Sequence, residues 1–198
     1  MIGACAKLMR DETSRAVREH HAELIQRQID HVVAMQRSLL AYARGEAAIL
    51  AHAVDLPTFA DRLRSEVEVD LCEKGIELNV ELHERGVARF DSTELLRALH
   101  NLVRNASEAI GSAGGNVTLQ IRRARSRELV IACVDTGPGL SPSVIQALTK
   151  RSGAETKRGA GGLGLAIVKR IAEAHGGTLK ASSTKNGTTF TITLPQGS

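Results

Sequence analysis

The apolar positions of this chain change period several times, and each change marks an element. Between residues 14 and 52, Ile25, Ile29, Val32, Leu39 and Ala43 recur at intervals of three and four, with Gln36 in the remaining slot. That is the stripe of one long amphipathic helix, and the Ala, Leu, Gln, Arg and Glu around it favour helix. A helix of this length with a single apolar seam needs a partner, so the pattern predicts a helical hairpin or bundle that dimerises. Residues 3–12 read as the last turns of a preceding helix, with a turn near Asp11 to Ser14. Pro57 breaks the run, and Leu56 to Glu73 follows as a second amphipathic helix closed by Gly75.

Ile76 to Leu82 alternates as a half-buried strand does, and Val87 to Phe90 is a short strand. Asp91 or Ser92 caps a helix from Thr93 to Ile110, and Gly111 to Gly115 is a turn. Val117–Arg123 and Leu129–Val134 form a hairpin pair, the second more buried and running into Asp135. A helix from Leu163 to His175 stops at Gly176-Gly177. Strands Thr178–Ser182 and Thr188–Leu194 flank a Lys185-Asn186-Gly187 turn, whose Asn-Gly step suits a hairpin. This order predicts an α+β fold, a mixed sheet with helices on one face. Two domains are expected, residues 1–52 and 53–198.

Composition narrows the partners. The 198 residues suffice for one real core plus an appendage. The net charge of +4 is modest and its basic residues are scattered, which argues against a nucleic-acid partner. With no Trp, one Tyr and three Phe, the core is aliphatic and stacking platforms are scarce. Cys5, Cys72 and Cys133 show no metal or redox spacing and read as reduced thiols of a cytoplasmic protein, Cys133 within a strand core. No apolar run approaches the roughly 20 residues of a membrane span. The first residues lack the basic head and apolar stretch of a signal peptide, so any membrane attachment is expected only upstream.

The candidate chemistry gathers between Asp135 and Val168. Gly137/Gly139 and Gly159/Gly161/Gly162/Gly164 bracket a polar segment that carries Lys150, Arg151, Lys157 and Arg158. Glycines leading straight into an apolar helix place unpaired N–H groups and a positive dipole end where a phosphate can sit. On glycine content alone, a surface loop fits as well. Upstream, Asn101 and Asn105 share one helix face, and an amide oxygen is a neutral, hard ligand suited to Mg²⁺. They also fit an exposed polar face, just as Asp135 before Thr-Gly-Pro-Gly fits a turn-initiating residue.

Taken together, Asn101-x-x-x-Asn105, Asp135-Thr-Gly137-Pro-Gly139 and Gly162-Leu163-Gly164-Leu resemble the ATP-binding domain of bacterial sensor histidine kinases. That domain belongs with gyrase-type ATPases and MutL to the Bergerat-fold family, and the likeness covers about residues 53 to 195. It implies a Bergerat-type α/β sandwich, with residues 1–52 resembling part of the kinases' dimerisation and phosphotransfer hairpin. It implies that Asn105 is the Mg²⁺ ligand at the catalytic centre and Asn101 its phosphate-side neighbour. Asp135 would accept from the adenine amino group, with Gly137 and Gly139 making room for the base and Thr188 helping to hold it. Gly161, Gly162, Leu163 and Gly164 would meet the phosphates, with Lys157, or else Lys150, Arg151 or Arg158, as a basic contact. The implied activity is transfer of the ATP γ-phosphoryl to a histidine and on to a response-regulator receiver domain, by a homodimer.

The chain departs from the kinase pattern in four places. Val144 to Lys157 has no phenylalanine, Ala160 stands where the second glycine box usually begins with Gly, and Glu108 replaces a common Lys. No H-E-x-x-x-P-L motif is present, and Ile2 to Met9 resembles the stretch just downstream of that motif. The acceptor histidine is therefore expected upstream of this chain, which alone would not phosphorylate itself. His20, His21, His31 and His52 are expected to be solvated helix histidines. The same residues allow two other readings: a degenerate nucleotide-binding scaffold that docks a partner, and a gyrase-type ATPase. The second is disfavoured because those ATPases resemble this chain except for a Glu general base at the position of Asn101, and an amide cannot take that proton.

Overall fold

The computed structural model describes residues 49–141, Ile145 and residues 162–197, the side chains of Val69 and Leu163 aside. Most of the predicted long helix, with His20, His21 and His31, lies outside the described residues. Its far end is corrected. Residues 49–51 have no regular form, and His52–Asp55 is a strand, β1. Two local demands override helix propensity there. Asp55 must be extended to cap the next helix, α1 (Leu56–Cys72), where its Oδ2 accepts from the Thr58 N–H at 3.1 Å and hydroxyl at 2.7 Å. β1 also pairs antiparallel with β3 (Val87–Phe90), from His52 opposite Phe90 to Asp55 opposite Val87. His52 is thus an exposed strand residue whose ring nitrogens lie near the Leu50 carbonyl and the Ser92 hydroxyl, not a helix histidine.

The remaining elements are β2 (Ile76–Leu82), α2 (Ser92–Ile110), a 3₁₀ turn (Gly111–Ala113), β4 (Gly115–Arg123), β5 (Leu129–Asp135), α3 (Gly162–Ala174), β6 (Thr178–Thr184) and β7 (Gly187–Leu194). Five strands form one sheet in the order β2-β4-β5-β7-β6. β2 runs parallel to β4 and every other neighbour is antiparallel. The fold is α+β, as the order of elements predicts.

Register turns the strand alternation into rows that cross the sheet. Leu82, Ile121, Ile131, Ile192 and Leu179 form one row, and Val80, Leu119, Cys133, Phe190 and Ala181 the next. Both rows join the core beneath Leu95, Leu99 and Leu102 of α2 and Val168 and Ile171 of α3. Val80, Leu82, Leu179 and Ala181 are partly buried at its margin, and each fully buried Leu, Ile, Val or Phe contributes about 1.5–3 kcal/mol. Phe59 of α1 meets Phe90 edge-on, ring centroids 5.0 Å apart, and anchors the small β1/β3 ribbon to the same core. The third row runs Leu78, Val117, Asp135, Thr188, Ser183. It starts apolar and ends polar, on the face that faces the helices.

The helix ends hold α2 and α3 at fixed ends. Asp91, not Ser92, is the cap of α2, its Oδ1 accepting from the Thr93 and Glu94 N–H groups at 3.1 Å each. α3 stops in a Schellman arrangement: Gly176 has φ +71°, with N–H bonds from Gly176 to the Glu173 carbonyl and from Gly177 to that of Ala172. His175 then ties the two ends together, donating through Nδ1 to the Ile171 carbonyl at 2.7 Å and accepting the Asp91 N–H at Nε2, 3.0 Å. Asp91→Ala removes two cap bonds and a third from the Leu50 N–H. It is expected to cost about 1–2 kcal/mol, read as a lower melting temperature; an unchanged melt would mean the cap is redundant.

Burial also explains Cys133. Its thiol is buried in the second row, which pushes its pKa up to about 12, with the nearby Asp135 charge adding to the effect. It is an inert core residue, as its place within an apolar strand predicts. No helix among the described residues is long and apolar enough to cross a membrane.

Candidate functional site

Asp135 is 4% exposed, at the last position of β5 on the covered face. A carboxylate there needs a reason, because burying a charge without compensation is costly. Both donors among the described residues that reach it use one oxygen: Oδ1 accepts from the Gly137 N–H at 2.9 Å and the Thr188 N–H at 3.2 Å. No bond among the described residues engages Oδ2. Burial pushes the carboxyl above its usual range, and the two N–H bonds pull it part of the way back. The result is an oriented acceptor with one oxygen fixed and one uncommitted.

The glycines after Asp135 are required by close packing. A Cβ on Gly137 would lie 3.0 Å from Asp135 Oδ1 and 3.3 Å from Ala109 Cβ on α2. Gly139 has φ +83°, and a Cβ there would meet the Thr184 carbonyl oxygen at 2.0 Å. The loop is thus pinned between the end of α2 and the β6–β7 hairpin. Ser183 completes the pinning: its hydroxyl accepts the Leu140 N–H at 2.8 Å, donates to the Gly187 carbonyl at 3.1 Å and lies 3.0 Å from the Thr188 hydroxyl. Sequence reading alone passes over Ser183, since the signal is its register opposite Thr188. Ser183→Ala is expected to lower stability by about 1–3 kcal/mol by stranding those groups. It should also quicken amide exchange at Leu140, and exchange unchanged from the native chain would refute that role.

A second cluster lies further back on α2. From Ala109, Asn105 is one turn away and Asn101 two, about 6 and 12 Å along the axis. Asn101 is 7% exposed, and its amide is satisfied: Nδ2 donates to the Arg97 carbonyl at 2.8 Å and Oδ1 accepts from Arg104 at 3.2 Å. Asn105 differs. Its Nδ2 is buried with no hydrogen-bond partner among the described residues. Gly164, in the first turn of α3, closes this cluster from the other side. A Cβ on it would lie 3.2 Å from Asn101 Oδ1, 3.3 Å from an Arg104 terminal nitrogen and 3.5 Å from Asn105 Oδ1. Two segments about sixty residues apart in sequence meet here, because α3 has no side chain at Gly164 to hold off the polar side chains of α2.

Of the residues singled out in the sequence, Asn101, Asn105 and Gly164 form one cluster and Asp135, Gly137, Gly139 and Thr188 another, joined by α2. Gly162 opens α3 and Leu163 follows it. Lys157 and Gly161, like Lys150, Arg151 and Arg158, lie outside the described residues. Arg104, half-buried beside both asparagines, is the further residue that the Asn101-to-Asn105 spacing alone did not single out.

The histidine kinase-, DNA gyrase B- and HSP90-like ATPase family matches residues 90–198, which include both clusters. The chain belongs to that family. Within it, the likeness is to sensor histidine kinases. The sensor histidine kinase ZraS of Salmonella typhi is 29% identical over 197 residues, covering 98% of this chain and 42% of that protein. Full-length ShkA in complex with AMPPNP matches with a TM-score of 0.72 and 25% identity, covering 100% of this chain and 42% of that one. The histidine kinase ThkA, solved in complex with the response regulator protein TrrA, matches with a TM-score of 0.70 and 18% identity. That match covers 99% of this chain and 57% of ThkA, and it bears on the fold. The described residues are therefore a histidine kinase catalytic domain of the Bergerat type. The chain spans less than half the length of the curated sensor kinases it matches, 42% in the case of ZraS.

Proposed function

We propose that this chain is the ATP-binding catalytic part of a sensor histidine kinase, which passes the γ-phosphoryl group of ATP to a histidine for relay to a response-regulator aspartate. One observation carries the reading. Asn101, Asn105 and Gly164 converge at the middle of α2, while Asp135, near its C-terminal end, holds an oxygen that no bond among the described residues engages. In this reading Asp135 Oδ2 accepts from the adenine amino group, and Thr188 and Gly137 keep that oxygen pointed at the base. The first turn of α3 offers its unpaired N–H groups to the phosphates. Asn105 Oδ1 would hold Mg²⁺, and its amide fits: it is neutral, its Oδ1 faces the Gly164 cradle, and its Nδ2 has no partner among the described residues. The ion, when bound, supplies charge neutralisation at the phosphate oxygens.

The protein's share of catalysis is then positioning, since phosphoryl transfer asks for little covalent chemistry from the enzyme. An imidazole nitrogen lone pair is itself a nucleophile. It forms the N–P bond as the bond to the ADP oxygen breaks, with no general base needed at Asn101. The amide at Asn101, already committed to Arg97 and Arg104, supports transfer over hydrolysis. The ThkA–TrrA complex supports a response-regulator partner. A homodimer formed through residues 1–52, a cytoplasmic location and an acceptor histidine outside this chain belong to the same proposal.

The test is to titrate the chain with Mg·ATP by calorimetry. It is then mixed with γ-labelled ATP and a separate helical hairpin bearing an acceptor histidine. Saturable binding and acid-labile label on the hairpin are expected. Phosphate release outpacing transfer would favour the hydrolase reading, and no binding at all would favour the scaffold.

A further inference from the structure

We propose that Arg104 is a cation this chain brings to the phosphate tail of the nucleotide, delivered from the body of α2. The inference deepens the ATP-binding reading and rests on it. The cradle at the α2–α3 crossing contains the amides of Asn101 and Asn105 and the backbone N–H groups of α3, none of which carries a full charge. A triphosphate carries several negative charges, and a buried polyanion needs formal positive charge close by. Arg104 is placed to supply it. One of its terminal nitrogens comes within 3.3 Å of where a Gly164 Cβ would stand, and a substituent-free Gly164 is what lets the guanidinium and the start of α3 share one space.

Its surroundings hold it ready. Asn101 Oδ1 accepts from one terminal nitrogen at 3.2 Å, which fixes the plane of the guanidinium, a fork with five N–H donors in all. Arg104 Nε lies 3.7 Å from Glu108 Oε1, one turn on, but the Glu108 side chain is 66% exposed. So long a contact to so exposed a carboxylate is weak, and a phosphate oxygen bound by the terminal nitrogens replaces it readily. Asn101 thereby gains a role besides any direct phosphate contact: it is the positioning residue of Arg104. Glu108 serves as the carboxylate that lies beside the guanidinium until phosphate arrives.

The experiment compares ATP with adenosine. Calorimetric affinities for both, with Mg²⁺ present, are measured on the native chain, on Arg104→Gln and on Arg104→Lys. Gln keeps a donor to Asn101 and much of the stem, while Lys keeps the charge without the fork. The expected result for Arg104→Gln is an ATP affinity about 10- to 100-fold lower with adenosine binding unchanged. Arg104→Lys should fall between Gln and native. A merely structural role would weaken both ligands together and leave their ratio as in the native chain, and that outcome overturns the inference. Equal ATP affinity in all three proteins overturns it too while leaving the ATP reading intact. A native chain that binds neither ligand removes both.

Discussion

Asp135→Asn is expected to lower the affinity for ATP and for adenosine alike by about 100-fold, the upper range for one hydrogen bond to a charged partner. The substitution is isosteric, and the asparagine Oδ1 can still accept from Gly137 and Thr188, whose N–H groups fix that position. Those two bonds force the amide nitrogen onto the site of Oδ2. A donor then faces the adenine amino donor, so the contact turns from attraction to repulsion. The fold should not suffer. Burial raises the Asp135 pKa, so its contribution to stability is fully present below the ordinary carboxylate range and is lost as pH rises through the raised, folded-state value. At neutral pH the native chain carries the cost of a buried charge that Asn does not. Chemical denaturation at about pH 4 and pH 7 checks the sign: relative to native, the variant should gain stability at the higher pH. A variant that loses nucleotide only because it unfolds would show the opposite, and adenine recognition would then have to be sought elsewhere.

Much of this site is legible in the sequence, because its parts are short, local patterns. The alternation of Ile76 to Leu82, the run into Asp135 and the cap before α2 each report a face or an end, and the structure keeps them. What alternation leaves out is the neighbour across the strand. Asp135 is predicted at a strand end. That its Oδ1 is taken by Thr188 depends on register between strands some fifty residues apart, and Ser183 extends the same polar row through the pairing of β6 with β7. Helical spacing likewise puts Arg104 near Asn101, but only the arrival of Gly164 from α3 distinguishes it from the other arginines of the chain. β1 is missed for a related reason. Residues 49–52 continue a helix-favouring composition, and their extended form comes from pairing with β3 and from the capping demand of Asp55. In each case the sequence lacks the same quantity, a long-range contact that outweighs a local preference of a few tenths of a kcal/mol per residue.

Asn105→Ala should separate metal-dependent from metal-independent binding. Asn105 Nδ2 is buried without a partner among the described residues, a cost of about 1–3 kcal/mol that the native chain bears for as long as the amide stays. A protein keeps such a group where its other atom is needed, and the other atom here is Oδ1, facing the Gly164 cradle. Truncation removes the orphaned donor together with the ligand oxygen. The melting temperature should therefore hold or rise, while the gain in ATP affinity on adding Mg²⁺ should shrink by at least about 10- to 100-fold, the loss that follows when even an outer-shell partner of a metal ligand is removed. With Mg²⁺ chelated, native and variant should bind ATP equally. Transfer to a supplied acceptor hairpin should fall further, by about 100- to 1000-fold, because charge stabilisation counts most in the transition state. If the Mg²⁺ enhancement survives in the variant, Asn105 is not the ligand. A lowered melting temperature with the enhancement intact would assign it to packing at the α2–α3 crossing.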